Sequence, residues 1–278
     1  MSVEVGVFVV PDAGEPSRTV DQVLAAEQAG LDLVAIQDHP YQRSFLDTFM
    51  LLANLAGRTS RIRLAPDVAN LPLRQPAMLA KAAASIDLLS GGRFVLGLGA
   101  GSRFDRIAAM GGPRLSRGEA VGALEEAIEV IRLWWSGEPE VSFAGRHYRL
   151  EAATPGPKPA HPIPIWIGAY RPRMLRLTGR LGDGWLPSLG YLPEEEMAER
   201  HRAINEAARA AGRDPSEVRR VLNVGVGEDW DGSVERLAAL VTERGFETLI
   251  VSVGQHDPVG FVRRVGEELA PRLREAVA

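Results

Sequence analysis

The chain has 278 residues, five histidines, no cysteine and a formal net charge of -4, with 45% hydrophobic and 24% charged residues. Such a composition suits a soluble folded protein with a sizeable core, and the mild acidity without any basic block argues against nucleic-acid binding. The absence of cysteine excludes disulfides, thiol catalysis and cysteine-ligated metals. The opening MSVEVGVFVV has no basic n-region, and no apolar run approaches the roughly 20 residues of a membrane span, so a cytoplasmic protein with no membrane partner is expected.

Predicted strands and helices alternate along the chain. The first strand, VEVGVFVV over 3–10, leads to a helix over 17–30 that stops at Gly30. The second, LDLVAIQ over 31–37, finishes on Asp38, His39 and Pro40. The third, RIRLAPDV over 61–68, is followed by Ala69 and Asn70. Gln75 and Pro76 then open a helix with Leu79, Ala83, Ile86 and Leu89 on one stripe, ended by Ser90-Gly91-Gly92. The fourth strand, RFVLGLGAG over 93–101, precedes a helix over 118–136 with Val121, Leu124, Ile128, Ile131 and Trp135 on one face.

Residues 137–162 break this rhythm. VSFAGRHYRL reads as a hairpin around Ala144-Gly145, and a proline-rich stretch follows it. An insert that follows a helix should begin at the N-terminal rim of a parallel sheet, away from the chemistry. The fifth strand, IPIWIGA over 163–169, leads to a helix near Pro172. The sixth, DGWLPS over 183–188, precedes a helix opened by Pro193 and closed by Gly212. The seventh, over 219–227, and the eighth, over 248–254, are followed by helices beginning at Ser233 and Asp257.

Eight strands, each followed by a helix, call for a parallel sheet with helices outside. Most of the strands are continuously apolar, as strands covered on both faces are. Eight such units predict an α/β fold, a single (β/α)8 barrel over 1–278 with an irregular insert at 137–162. An open doubly wound sheet is the alternative, favoured by GLGAG alone.

A barrel places its active site at the carboxyl ends of its strands. There stand Asp38 and His39, then Asp67, Val68 and Asn70, then Gly99, Gly101 and Ser102. After the fifth strand come Gly168, Ala169 and Tyr170, with Arg171 and Arg173 beyond, where a helix start would suit a phosphate. Plainer readings stand beside these. A histidine after a strand is often a loop hydrogen-bonder, and Asp38 also reads as a cap for the following helix. GLGAG lacks the acidic partner of a dinucleotide site. His147, His161 and His201 read as structural or solvent-facing. No HxH, HxxE or HExxH spacing occurs, so no metal site is expected, and no GxSxG elbow supports a hydrolase.

Three stretches resemble the bacterial luciferase-like family of flavin- and deazaflavin-dependent oxidoreductases: IQDHPY, VANLPLRQPAMLAKAAASIDLLSGGRFVLGLGAGS and IPIWIGAYRPRMLRLTGRLGDGWLPS. The resemblance implies a (β/α)8 barrel, a homodimer, and F420 or FMN held at the mouth. It places Asp38 and His39 beside the ring and a non-proline cis peptide at Asp67–Val68 behind it. The turn from Gly99 through Gly101 to Ser102 should run close to the cofactor. Gly168 and Ala169 match the backbone that holds the cofactor's phosphate. The sugar-phosphate dehydrogenases of the family carry a glutamate at the position of Ser102 and a tryptophan near Arg43-Ser44-Phe45, and both are missing here.

The resulting expectation is an oxidoreductase that transfers a hydride between F420 and a small organic substrate. His39 would move the compensating proton, and Asp38 would accept a hydrogen bond from the ring or orient His39. The alternatives are a monooxygenase using reduced FMN from a separate reductase, and a non-catalytic flavin-binding protein. The substrate pocket would be built by loops after the first, sixth, seventh and eighth strands, with Tyr191, Trp185 and His256 as candidate lining residues.

Overall fold

The computed structural model describes residues 3–227, 229–254 and 256–278. Its strands are β1 (Glu4–Val9), β2 (Leu33–Ile36), β3 (Arg63–Pro66), β4 (Ala69–Asn70), β5 (Leu96–Gly99), β6 (Val141–Ala144), β7 (Arg149–Ala153), β8 (Ile165–Ile167), β9 (Gly184–Trp185), β10 (Arg219–Val224) and β11 (Thr248–Ser252). Its helices are α1 (Pro16–Gln28), α2 (Thr48–Ala56), α3 (Pro76–Ser90), α4 (Phe104–Ala109), α5 (Arg117–Trp134), α6 (Pro172–Leu181), α7 (Met197–Ala210), α8 (Trp230–Thr242), α9 (Pro258–Arg264) and α10 (Ala270–Ala276). The helix ends follow from the sequence. Asp47 and Ser116 cap α2 and α5 through their side chains, and Gly91 closes α3 in the left-handed conformation.

Parallel pairing runs β3-β2-β1-β11-β10-β9-β8-β5-β4. The ring closes where Leu64 of β3 bridges Phe94, with the Leu64 and Val95 amides donating across the seam at 3.0 Å each. The expected barrel is therefore present. Its third member is split: β3 pairs with β2, β4 pairs with β5, and the expected cis peptide Asp67–Val68 lies between them. Two helices have no span in the sequence reading: α2, which the strand–helix alternation requires but no periodicity argument places, and the short α4.

Strand register sets which side chains face inward. Phe8, Leu33, Ala35, Ala65, Val95, Trp166, Leu186, Val221 and Ile250 pack together as the lumen core, with Val68 against them. At the amino end, Glu4 sits between Arg63 and Arg219, and Thr248 Oγ1 donates to its carboxylate at 3.0 Å. Helices cover the outer faces of the strands, and the larger core cluster lies between the two layers.

The glycines of VLGLGAG make room for the bulge rather than a phosphate turn. A Cβ at Gly97 would overlap the Pro66 carbonyl oxygen, and one at Gly99 would lie 2.7 Å from Val68 Cγ2. Without side chains at these positions, β5 can approach the β3–β4 break and Val68 can enter the lumen.

The insert is the predicted hairpin, β6 against β7, but its position differs in part from expectation. It begins near the end of α5 at the amino rim. Its tip then runs back along α5, where Glu126 accepts from the Arg146, His147 and Tyr148 amides at 2.8, 2.7 and 3.0 Å. His147 and Tyr148 thereby reach a groove of about 520 Å³ shared with Leu71–Gln75, which connects β4 to α3. The proline-rich return is held by buried Asp87, which accepts from the Ala160 and His161 amides at 2.7 and 3.2 Å.

Gly97→Ala should destabilise the fold by about 1–3 kcal/mol, the usual cost of overpacking a close backbone approach. Urea denaturation would read this as a lower midpoint at unchanged slope.

Candidate active site at the barrel mouth

Strand β2 ends on Gln37, Asp38 and His39, whose environments differ sharply. Asp38 is 1% exposed. Its Oδ2 accepts from the Asn70 amide at 2.8 Å and from Arg74 Nε at 2.9 Å, and its Oδ1 accepts from Arg74 Nη2 at 2.7 Å. The same Arg74 nitrogen also donates to Asp47 at 2.9 Å, and the guanidinium lies over the Phe49 ring at 4.4 Å. Burial alone would lower the Arg74 pKa. The hydrogen bonds and charge of Asp38, with Asp47, outweigh burial and hold it above the ordinary value.

Asp38 thus ties the end of β2 to the segment after the bulge. It does not cap α2, a role Asp47 fills. Nor does it hydrogen-bond His39, one of the two roles expected from sequence, because both of its oxygens are turned to Arg74 and Asn70.

His39 is half-buried at the rim. Its Nδ1 lies 3.2 Å from Gln37 Nε2, and its ring stacks on Tyr41 at 5.3 Å. With the amide nitrogen of Gln37 facing Nδ1, the contact favours the tautomer that carries its proton on Nε2. Burial lowers the His39 pKa below 6.5; Asp38 pulls it up, while Arg103 and Arg106 push it further down. At neutral pH the ring is therefore an uncharged imidazole with one N–H, suited to holding or passing a proton. Gln37, Arg103 and Arg106 are site residues that sequence reading missed. Only Gln37, at the end of its strand, carried a signal that could have found it.

The other predicted residues collect around the same rim. Asp67 and Asn70 occupy inward register positions, paired beside Ala35–Gln37 and Gly99 respectively. Gly101 has φ +84°, and a Cβ there would lie 2.8 Å from Pro72 and 3.1 Å from Ile107. Ser102, just beyond it, is exposed. The Gly168 amide donates to Leu98 at 3.1 Å within the barrel ladder, and the Ala169 carbonyl accepts from Trp185 Nε1 at 2.9 Å. The first turn of α6, which follows, has no side-chain cap. The Tyr170 hydroxyl accepts from the Ser188 amide at 2.8 Å, and burial keeps its pKa above the ordinary value.

One further expectation falls differently, that for Trp185, while His201 takes the structural place open to it. Trp185 is fully buried outside the lumen against His201 and Phe246, so it lines no pocket. His201 is a core residue: burial and the neighbouring Arg220 push its pKa down to about 4. Tyr191 is exposed and meets Tyr170 edge-on at 6.0 Å.

Three buried side-chain oxygens at the mouth have no hydrogen-bond partner among the described residues: Asp67 Oδ2, Asn70 Oδ1 and Asn223 Oδ1. Buried polar groups are normally paired, so these are vacancies a ligand can fill. With Val68 as an apolar wall beside glycines 97, 99 and 168, the mouth fits a flat, partly polar ring.

A parallel barrel with a half-buried imidazole and unpartnered oxygens at its carboxyl rim has the layout of a (β/α)8 enzyme. The chain belongs to the luciferase-like monooxygenase family, whose model matches residues 3–259. It is 32% identical over 267 residues to an F420-dependent glucose-6-phosphate dehydrogenase of Intrasporangium calvum, spanning 92% of this chain and 78% of that one. It is 36% identical over 237 residues to an F420-dependent hydroxymycolic acid dehydrogenase of Mycobacterium tuberculosis, spanning 81% of this chain and 63% of that one. Among solved structures, an F420-dependent secondary alcohol dehydrogenase holding an F420–acetone adduct superposes with a TM-score of 0.85 over 100% of both chains at 20% identity.

Arg74→Met should cost about 3–5 kcal/mol of stability, because it leaves Asp38 buried without its counter-charge. Guanidinium denaturation would measure the loss.

Proposed function

We propose that this protein transfers a hydride between F420 and a small organic substrate. The observation that carries the reading is the neutral His39 at a mouth with unsatisfied oxygens, in a chain whose curated relatives are named as F420-dependent. When bound, the deazaflavin supplies the hydride-carrying carbon. The rest is the work of this chain. Val68 and the glycines around it form a side-chain-poor wall for the ring, and the uncapped start of α6 with loop 169–171 would receive its phosphate. His39 holds or passes the proton that balances the hydride at its Nε2, with Gln37 fixing the other nitrogen.

Asp38 acts through position: by holding Arg74 and Asn70 it keeps the bulge against the end of β2. The FMN reading, with its separate reductase, gains no support from those relatives' names. Ser102 and the Arg43-Ser44-Phe45 stretch replace the glutamate and tryptophan expected of sugar-phosphate dehydrogenases, so the substrate belongs to another class, an alcohol or carbonyl compound without a phosphate.

A homodimer is part of the same reading. Met50, Met78 and Leu89 are 68%, 63% and 67% exposed on α2 and α3, two helices that pack together. Apolar side chains so placed favour a covering partner, here a second copy. Light scattering should give the dimer mass and Leu89→Glu should shift it toward monomer; a monomeric parent at micromolar concentration would end this part.

His39→Ala should lower turnover by about 100-fold or more while F420 affinity changes little. Fluorescence titration of the apo-protein with F420 and with FMN separates the cofactors, and tight FMN binding without F420 binding would overturn the proposal. Unchanged turnover in the variant would remove His39 from the chemistry.

A further inference from the structure

Asp67 is a buried carboxyl without a charged partner among the described residues. It is 9% exposed at an inward position at the end of β3. Its Oδ2 has no hydrogen-bond partner among the described residues, and the Asn223 side chain is the one hydrogen-bonding group near enough to act on its titration. Directly across the ring, on β10, stands Asn223, 8% exposed, whose Nδ2 donates to Ser188 Oγ at 3.3 Å and whose Oδ1 is unpartnered. Beside β3, on β4, Asn70 is 5% exposed and its Oδ1 is unpartnered too. One orphaned oxygen in a native interior invites explanation; three at one end of a barrel, from opposite walls, define a polar floor.

A carboxylate without a counter-charge is poorly tolerated in such a place, whereas the uncharged acid has both an O–H donor and a carbonyl acceptor. Each neighbouring carboxamide likewise has donor and acceptor atoms. With two carboxamide oxygens left to accept and the acid's O–H left to donate, a ligand that meets this floor presents a donor beside an acceptor along one edge. An imide, N–H flanked by two carbonyl oxygens, does so, and it forms the polar edge of a deazaflavin ring.

Resting on the cofactor reading above, we propose that Asp67 and Asn223, with Asn70, receive the imide edge of the F420 ring, and that Asp67 does so as the uncharged acid. Protonation of Asp67 then becomes a condition of tight binding. Burial, partly offset by the Asn223 side chain, pushes its pKa up to about 7, so the condition fails just above neutrality. The groups around Asp67 leave the loss above neutrality to it alone, since His39, at the same rim, is held below its ordinary pKa by burial and is already uncharged there. Tyr170, which interacts with it electrostatically, stays protonated because burial raises its pKa. Ser188 and Asn223 do not titrate, and Asp38, next along β2, is paired with Arg74.

The test is F420 binding to the apo-protein across about pH 5.5 to 8.5, read by fluorescence, for the parent and Asp67→Asn. The parent's Kd should rise about tenfold per pH unit above about 7, as linkage to one proton requires. Asp67→Asn, permanently uncharged with a donor and an acceptor, should lack that rise, any titration of the cofactor itself being common to both proteins. Parallel profiles would overturn the inference, whereas failure of the parent to bind F420 at any pH would overturn the cofactor reading instead.

Thermal unfolding of the apo-protein gives a readout independent of cofactor. A carboxyl whose folded pKa lies above its ordinary value of 3.8 retains its proton better folded than unfolded. The parent should therefore lose Tm relative to Asp67→Asn as pH rises from about 4 to about 7, and equal pH dependence would count against the uncharged acid. Should Asp67→Asn fail to fold, Asn223→Ala decides: affinity at pH 6 at least about tenfold weaker supports the floor, and unchanged affinity overturns it.

Discussion

The mouth of this barrel depends on one buried charge pair. Arg74 grips both oxygens of Asp38, and the Asn70 amide completes the set, so the end of β2 is fastened to the chain that emerges from the bulge. A fork-shaped guanidinium against a carboxylate fixes angle as well as distance. His39 is the next residue after Asp38, and Asp67, Val68 and Asn70 belong to the strand so fastened. The relative placement of the imidazole, the apolar wall and the polar floor therefore follows from an interaction between two elements rather than within either. Two acidic residues at the rim thereby divide their labour by environment: Asp38 is paired with its arginine, and Asp67, with none, holds its proton to near neutrality.

Much of the fold was legible because its signals are local. Continuous apolar runs, prolines at helix starts and glycines at helix ends mark elements within a few residues, and eight βα units leave few topologies. The hairpin showed for the same reason. Helix α2 was missed although Asp47 and Gly57 bracket it, since TFMLLANLA is apolar almost all round and lacks a clear stripe. Helix α4 spans only Phe104–Ala109, too short for periodicity to register.

The site was legible as a list and illegible as a set of roles. Listing the strand ends collects His39, Asp67, Asn70 and Gly168 without knowledge of any contact. Deciding what Asp38 does requires Arg74, 36 residues away in sequence, and nothing local connects them. The glycines at 97 and 99 invite a phosphate reading in one dimension, while in three dimensions they face Pro66 and Val68. Trp185 looked like a pocket residue because it follows a strand, yet the two-residue β9 turns it outward against His201 and Phe246.

The tip of the hairpin carries a quieter lesson. Successive amides at a loop tip ordinarily attract a phosphate or a carboxylate from solution. Here Glu126, from the chain's own α5, is already seated on them, and Glu119, Glu125 and Glu129 line the same flank. Arg146, Arg173 and His147 line that flank too, and Arg146 and Arg180 pair with Glu119 and Glu125, so its charges are largely balanced from within. The loop's amides are therefore closed to an outside anion by the chain itself, whereas the positive charges that act on His39, those of Arg103 and Arg106, belong to the mouth.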